Sequence, residues 1–281
     1  MKNYKLYILS IISFFAMSCT DVVGVDVQNA PTRLVIEASI DWEKGTLGNE
    51  QVIKLSHTVP YFDELVNNEV VGASVRIIND STGEEFVFVD QNDGTYTTSS
   101  FVPIFGDSYT LEVIQDGQTY IAQETMVSVV DIVEINQSIE DGFDDEALEL
   151  NILFNDPADE ENFYLFRFQE QGDLLPELFD VSDEFTNCNQ MKVFYEKEED
   201  EDINQYEFEI GDIVDIKFHG ISERYFNYMR LLIEQYDSVG DPFSATPVPL
   251  RGNCTNPSNP DNYAYGYFRL SETITTSYTF N

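Results

Sequence analysis

Tyr109-Thr110-Leu111-Glu112-Val113-Ile114, then Asp116-Gly117, then Thr119-Tyr120-Ile121-Ala122 decides the fold class. Apolar and polar residues alternate on both sides of a two-residue Asp-Gly turn. Successive strand side chains point to opposite faces, so each arm buries one face and wets the other. Asp-Gly tolerates the positive φ angles that tight hairpin turns require. The same pattern spreads upstream. Residues 33–41 (Arg33-Leu34-Val35-Ile36-Glu37-Ala38-Ser39-Ile40-Asp41) read as a strand paired with Gln51-Val52-Ile53-Lys54-Leu55-Ser56 across a turn region at Gly45–Gly48. Ala73-Ser74-Val75-Arg76-Ile77-Ile78 and residues 85–90 make a further hairpin around Asp80-Ser81-Thr82-Gly83, and Asn92-Asp93-Gly94-Thr95-Tyr96 turns into another strand. About seven short strands in about a hundred residues predict a β-sandwich over residues 33–128.

Downstream, residues 128–137 lead into a second region, 129–281. Leu148-Glu149-Leu150-Asn151-Ile152-Leu153-Phe154 and Phe163-Tyr164-Leu165-Phe166-Arg167-Phe168 read as long strands around an Asp156-Pro157 turn. One helix is predicted at 222–237, capped by Ser222, with Tyr225, Phe226, Met229, Leu232, Ile233 and Tyr236 on one face. Two closing strands are expected, at 263–270 and 272–280. The fold class is therefore mainly β: an Ig- or transthyretin-like sandwich followed by a β-rich second domain with one amphipathic helix. The spacing Gly94-x-Tyr96 with Gly106-x-x-Tyr109-x-Leu111-x-Val113 resembles transthyretin-like and carboxypeptidase-regulatory-like sandwiches.

The first eighteen residues are of another kind. Lys2 and Lys5 precede an apolar run over residues 6–17, shorter than a bilayer span, and Ala16-Met17-Ser18-Cys19 follows. This resembles the lipobox of bacterial lipoproteins. It implies a signal peptide at 1–18, diacylglycerol on the Cys19 sulfur, acylation of its freed amine, and a tether over 19–32. The other reading is a plain secretory leader cleaved near Ser18. Palmitate-type chains anchor in proportion to buried methylenes, about 0.8 kcal/mol each.

With Cys19 assigned to lipid, Cys188 and Cys254 remain. In an oxidising compartment an even pair points to a disulfide. The 14 Lys and Arg against 52 Asp and Glu give a net charge of −38. Losing Lys2 and Lys5 takes the mature chain to −40. Nucleic acid is excluded as a partner, because phosphate binding needs clustered cations. The bland account of the acidity is solubility through self-repulsion; the sharper one is binding of cations or of a basic partner. The acidic stretch at 196–202 lacks the spaced Asp, Asn and Gly of a calcium loop and reads as a solvated loop.

Only two histidines occur, His57 and His219, neither at a metal-ligand spacing, and no Gly-x-Ser-x-Gly elbow or phosphate-cradling Gly loop appears. The expectation is a non-enzymatic protein with no cofactor and no metal.

Leu34-Val35-Ile36-Glu37-Ala38, Leu55-Ser56-His57-Thr58-Val59-Pro60-Tyr61-Phe62 and Val71-Gly72-Ala73-Ser74-Val75 resemble the opening of the Bacteroidota lipoproteins called DUF4249. Asp156-Pro157 with Asn162-Phe163-Tyr164 fits the middle. Tyr225-Phe226-x-Tyr228, Asp241-Pro242-Phe243, Pro247-Val248 and Gly266-Tyr267-Phe268 fit the end. The resemblance supplies no catalytic residue. It implies an outer-membrane lipoprotein acting beside a TonB-dependent receptor as an accessory or ligand-capture partner; the alternative is a structural or assembly factor of the envelope. Asp21, just after the lipidated cysteine, resembles a surface-export signal of that phylum, and both faces of the outer membrane stay open. Asp80-Ser81-Thr82 and Asp237-Ser238-Val239 match the phylum's short O-glycan acceptor pattern, marking Ser81 and Ser238 as candidate O-glycosylation sites.

Overall fold

The structure, a computed structural model, describes residues 31–60, 67–144, 146–157, 160–184, 190–197, 199, 206–238 and 249–281. Residues 32–281 form one compact unit. The opening hairpin is β6 (Ser108–Gln115) and β7 (Gln118–Thr125), with Gln115 opposite Gln118. Asp116 and Gly117 have φ of 49° and 73°, the double positive φ of a two-residue hairpin turn.

Around it lie β1 (Leu34–Glu43), β2 (Gln51–His57), β3 (Ser74–Asn79), β4 (Glu85–Asp90) and β5 (Thr95–Thr98). β4 pairs with β3 through residues 85–88 and with β5 through residues 89 and 90, so one strand passes between two layers. The enclosed core is mainly aliphatic: Ile36, Ala38 and Ile40 from β1, Ile53 and Leu55 from β2, Val75 and Ile77 from β3, Leu111 and Val113 from β6, with Tyr96 and Tyr109 among them. This is the predicted β-sandwich.

A second sandwich follows. Its three-stranded sheet has the order β12 (Gln190–Glu196), β9 (Glu149–Asn155), β8 (Ile132–Ser138). It faces β11 (Glu177–Ser182), β10 (Phe163–Glu170), β13 (Ile213–Ile221) and β14 (Tyr265–Thr279) across a core rich in rings. Phe218 lies 4.2 Å from Phe166, 5.1 Å from Phe154 and 5.3 Å from Tyr164, centroid to centroid. Three expectations change here. The strands around Asp156-Pro157 do not pair: β9 belongs to the small sheet and β10 to the large one, so that connection crosses the core. The two closing strands are one, because neither Gly nor Pro stands at Ser271, where the two were expected to part. And the regions on either side of residue 128 share a sheet. β14 pairs parallel with β1 from Tyr265 to Thr273 and antiparallel with β13 from Thr273 to Thr279. Fifteen residues at strand pitch span roughly 50 Å, enough to serve both sandwiches, and Phe268 and Leu270 sit in the first core while Phe280 sits in the second.

The close approach of β1 and β14 explains Gly266. Its φ is 92°, and a Cβ there would stand 2.1 Å from the carbonyl oxygen of Ile36.

The helix α1 (Glu223–Asp237) starts where predicted, with the Ser222 hydroxyl accepting from the Tyr225 N–H. Tyr225, Phe226 and Met229 pack with Leu165, Ile221 and Tyr267. The stripe then ends: Leu232 and Tyr236 are exposed, so the predicted apolar face is buried only over its first two turns. Among the described residues no helix is long and apolar enough to cross a membrane.

Candidate functional site

Cys19 and Cys188, with the leader and all but the end of the tether, lie outside the described residues. The expected disulfide partner of Cys254, Cys188, is therefore not placed. Among the described residues Cys254 is a free thiol, 2 % exposed, inside the first core. Its apolar surroundings push the thiol up to about 12. Ser81 is exposed in the β3–β4 turn, where its N–H and that of Thr82 donate to Asn79 Oδ1, both at 2.9 Å. Ser238 caps the end of α1 and is half-buried, its hydroxyl donating to the Gln235 carbonyl at 3.1 Å. His57 ends β2, and its backbone exchanges hydrogen bonds with Asn68.

His219 belongs to a cluster that sequence reading missed. On one face of the large sheet, adjacent strands β1, β14 and β13 present Asp41, Arg269, and Lys217 with His219. Strand register fixes this: Asp41 lies beside Ser271, Ser39 beside Arg269, His219 beside Thr273 and Lys217 beside Thr275. Lys217 Nζ lies 2.5 Å from Asp41 Oδ2, and Arg269 Nη2 lies 2.7 Å from Asp41 Oδ1. Arg269 Nη1 donates to His219 Nδ1 at 2.9 Å. Arginine has no acceptor, so His219 is the neutral tautomer with its proton on Nε2. Burial, then the neighbouring Arg269, hold the imidazole down at about 3. Asp41 is held at about 2: burial would raise it, and Arg269, His219 and Lys217 together prevail. The cluster sits where the two sandwiches meet and carries two cations on one carboxylate. Its members pair with one another, while Arg269 Nε is buried without a hydrogen-bond partner. No residue-type motif marks it, because its members lie up to 228 positions apart.

The far end of the second sandwich is open and acidic. A cleft of about 300 Å³ is lined by Glu170, Asp173, Lys197, Tyr206, Glu207, Glu209 and Asp212. Lys197, in the stretch read as a solvated loop, is instead 6 % exposed and clasped by Glu170 at 2.5 Å and Asp173 at 3.2 Å. Next in the chain to the cleft residues Asp173 and Glu209 come Leu174, Leu175 and Ile210, 95 %, 68 % and 77 % exposed. Apolar tips ringed by carboxylates suit a protein surface with a basic rim. A larger groove of about 680 Å³ on the first sandwich has Val52, Val87 and Val89 among its lining residues. Among the described residues no group of three or more His, Cys, Asp and Glu side chains is placed to hold a metal.

The model of a family described as a domain of unknown function, DUF4249, matches residues 20–277. The chain belongs to the DUF4249 family. Within that match lie both sandwiches, the charge cluster and the acidic cleft; the matched region of this DUF4249 chain begins one residue after Cys19. No curated protein matches it. Among solved structures, a chain of a cytokine receptor complex is similar at 8 % identity with a TM-score of 0.26, covering 66 % of this chain and 82 % of that one. A segment of two fibronectin type-III domains from chicken tenascin is similar at 10 % identity with a TM-score of 0.21, covering 68 % and 91 %. At those values the sandwich assignment rests on strand order and core, described above, and not on either likeness.

Proposed function

We propose that this DUF4249 chain is a non-enzymatic lipoprotein of the outer membrane, held through lipid on Cys19, that serves a TonB-dependent transporter as an accessory or ligand-capture partner. The observation that carries the reading is Ala16-Met17-Ser18-Cys19 after a short apolar leader, with the family match opening at residue 20. A thiol at that point is what lipid transfer needs, and several acyl chains hold a folded ectodomain where one would not. The acidic cleft with its apolar tips favours a protein partner over nucleic acid. The absence of a role for His219 in proton transfer follows from its bond to Arg269 and favours binding over catalysis.

Palmitate labelling tests the anchor: wild type takes label and Cys19→Ala does not; equal lack of label in both removes the reading. Affinity purification in mild detergent then recovers an outer-membrane β-barrel, and Leu174→Asp with Leu175→Asp reduces its yield. Repeated recovery of the anchored protein alone counts against the transporter. The long shared strand β14 favours a second reading, a rigid spacer or docking factor of the envelope. A growth defect confined to one nutrient on deletion supports transport, and a general envelope defect supports the spacer.

A further inference from the structure

The second sandwich holds two carboxylate pairs, and they are treated differently. At the acidic cleft, Glu170 and Asp173 share the ammonium of Lys197. At the opposite end, Asp156 follows β9 and Asp183 follows β11, and both are buried, at 7 % and 1 % exposure. The Tyr164 hydroxyl donates to Asp156 Oδ1 at 2.8 Å, and the Asp183 N–H donates to the Asn162 carbonyl at 3.3 Å. The Oδ2 of each aspartate is buried with no hydrogen-bond partner. Among the described residues neither aspartate has a Lys, Arg or His ion-pair partner. Burial raises the Asp156 carboxyl; the Tyr164 bond works against the rise, and a side-chain hydrogen bond with Asp183, then the charge of Asp183, add to it.

With both ionised, two buried carboxylates that no other residue donates to at Oδ2 repel each other, and each has lost its water; one shared proton or one cation relieves this. A cation between them would remove both penalties, as Lys197 does at the other end. The donors are oxygens alone, which suits a hard ion, and an irregular set completed by carbonyls and water suits Ca²⁺. We propose that Asp156 and Asp183 form a binding site for one Ca²⁺ ion, joining the ends of β9 and β11. The site is independent of the anchor and of any transporter.

Full-length mature protein, stripped with EDTA and held at fixed ionic strength, is titrated with Ca²⁺ in equilibrium dialysis. Tb³⁺ is used in parallel, with luminescence excited through Tyr164. One saturable site is expected, with Ca²⁺ displacing Tb³⁺ and raising the thermal midpoint by several degrees. Asp156→Asn and Asp183→Asn each weaken binding at least tenfold and remove the Ca²⁺-dependent shift, while in EDTA they are as stable as wild type or more so. Asp212→Asn, in the acidic cleft, keeps the site. Binding unchanged in both Asn variants would assign the ion to the acidic surface at large and overturn the proposal. A thermal midpoint that follows pH but ignores Ca²⁺ would mean the pair shares a proton instead. Dialysis of wild type alone decides the matter should a variant fail to fold: no saturable one-to-one uptake sinks the site.

Discussion

The two cores of this protein solve the same burial problem with different materials. The first is built mainly from β-branched and aliphatic residues, on strands that include the hairpins β3–β4 and β6–β7 and the distant strand β14. The second is built from rings: Tyr164, Phe166, Phe168, Phe154, Phe218, Tyr195, Phe208 and Phe280 come from elements up to 126 positions apart. Aliphatic strands fit any sheet face of the right period. Rings fit only where another ring offers an edge or an offset face. Local pattern therefore specifies more of the first core than of the second, although both are completed by β14.

Truncation should separate the two most strongly. Phe218→Ala removes the ring at the centre of the second core and should cost about 4 kcal/mol. Ile77→Val, a single methylene in the first core, should cost about 1 kcal/mol. Urea unfolding checks both; equal losses would erase the distinction. Next comes the joint. Asp41→Ala leaves Arg269 and Lys217 without their carboxylate and should cost about 3 kcal/mol, and Lys217→Met should cost less because its ammonium is partly wet.

Acid acts on the same joint. His219 is held at about 3, below its ordinary 6.5, so between those values the unfolded chain binds a proton that the folded one refuses. Stability from this group is complete above pH 6.5 and falls as pH drops toward 3, by at most about 1.4 kcal/mol per pH unit. Asp41, held at about 2, adds a loss between pH 3.8 and 2. His219→Gln should flatten the profile between pH 6.5 and 3 and leave the Asp41 limb; a profile unchanged by that substitution would mean the histidine is not neutral in the fold.

Glycines give smaller effects. Gly266→Ala forces both a left-handed φ and a clash with the Ile36 carbonyl, and should cost about 2 kcal/mol or more. Gly83→Ala has the same sign of φ but open space, and should cost about 1 kcal/mol. Least of all, a thiol reagent should leave the native fold intact, because Cys254 becomes reactive only on unfolding; rapid native labelling of Cys254 would contradict its burial.

Pattern exposed the strands, the hairpin turn and the helix cap, since each depends on residues a few positions apart. It exposed only half of the helix face: Leu232 and Tyr236 have the right spacing, but spacing cannot say whether anything lies opposite. Of the candidate site residues, Ser81 lies in the turn its neighbours predicted. Asp41, His219, Lys217 and Arg269 were invisible as a group, because a single Asp or His on an alternating strand looks like any wet position.

By itself the sequence determined the β class, the positions of most strands, the acidic character and the pattern around Cys19. These are matters of period, count and order, which the chain carries whether folded or not. Tertiary structure alone decided that β14 serves two sandwiches, that β9 and β10 part across a core, and that Cys254 is enclosed. It alone set Lys197 between two carboxylates and Asp156 against Asp183. The reason is physical: which side chains meet depends on strand order and register, and a linear chain of alternating residues is compatible with many orders until its cores are filled.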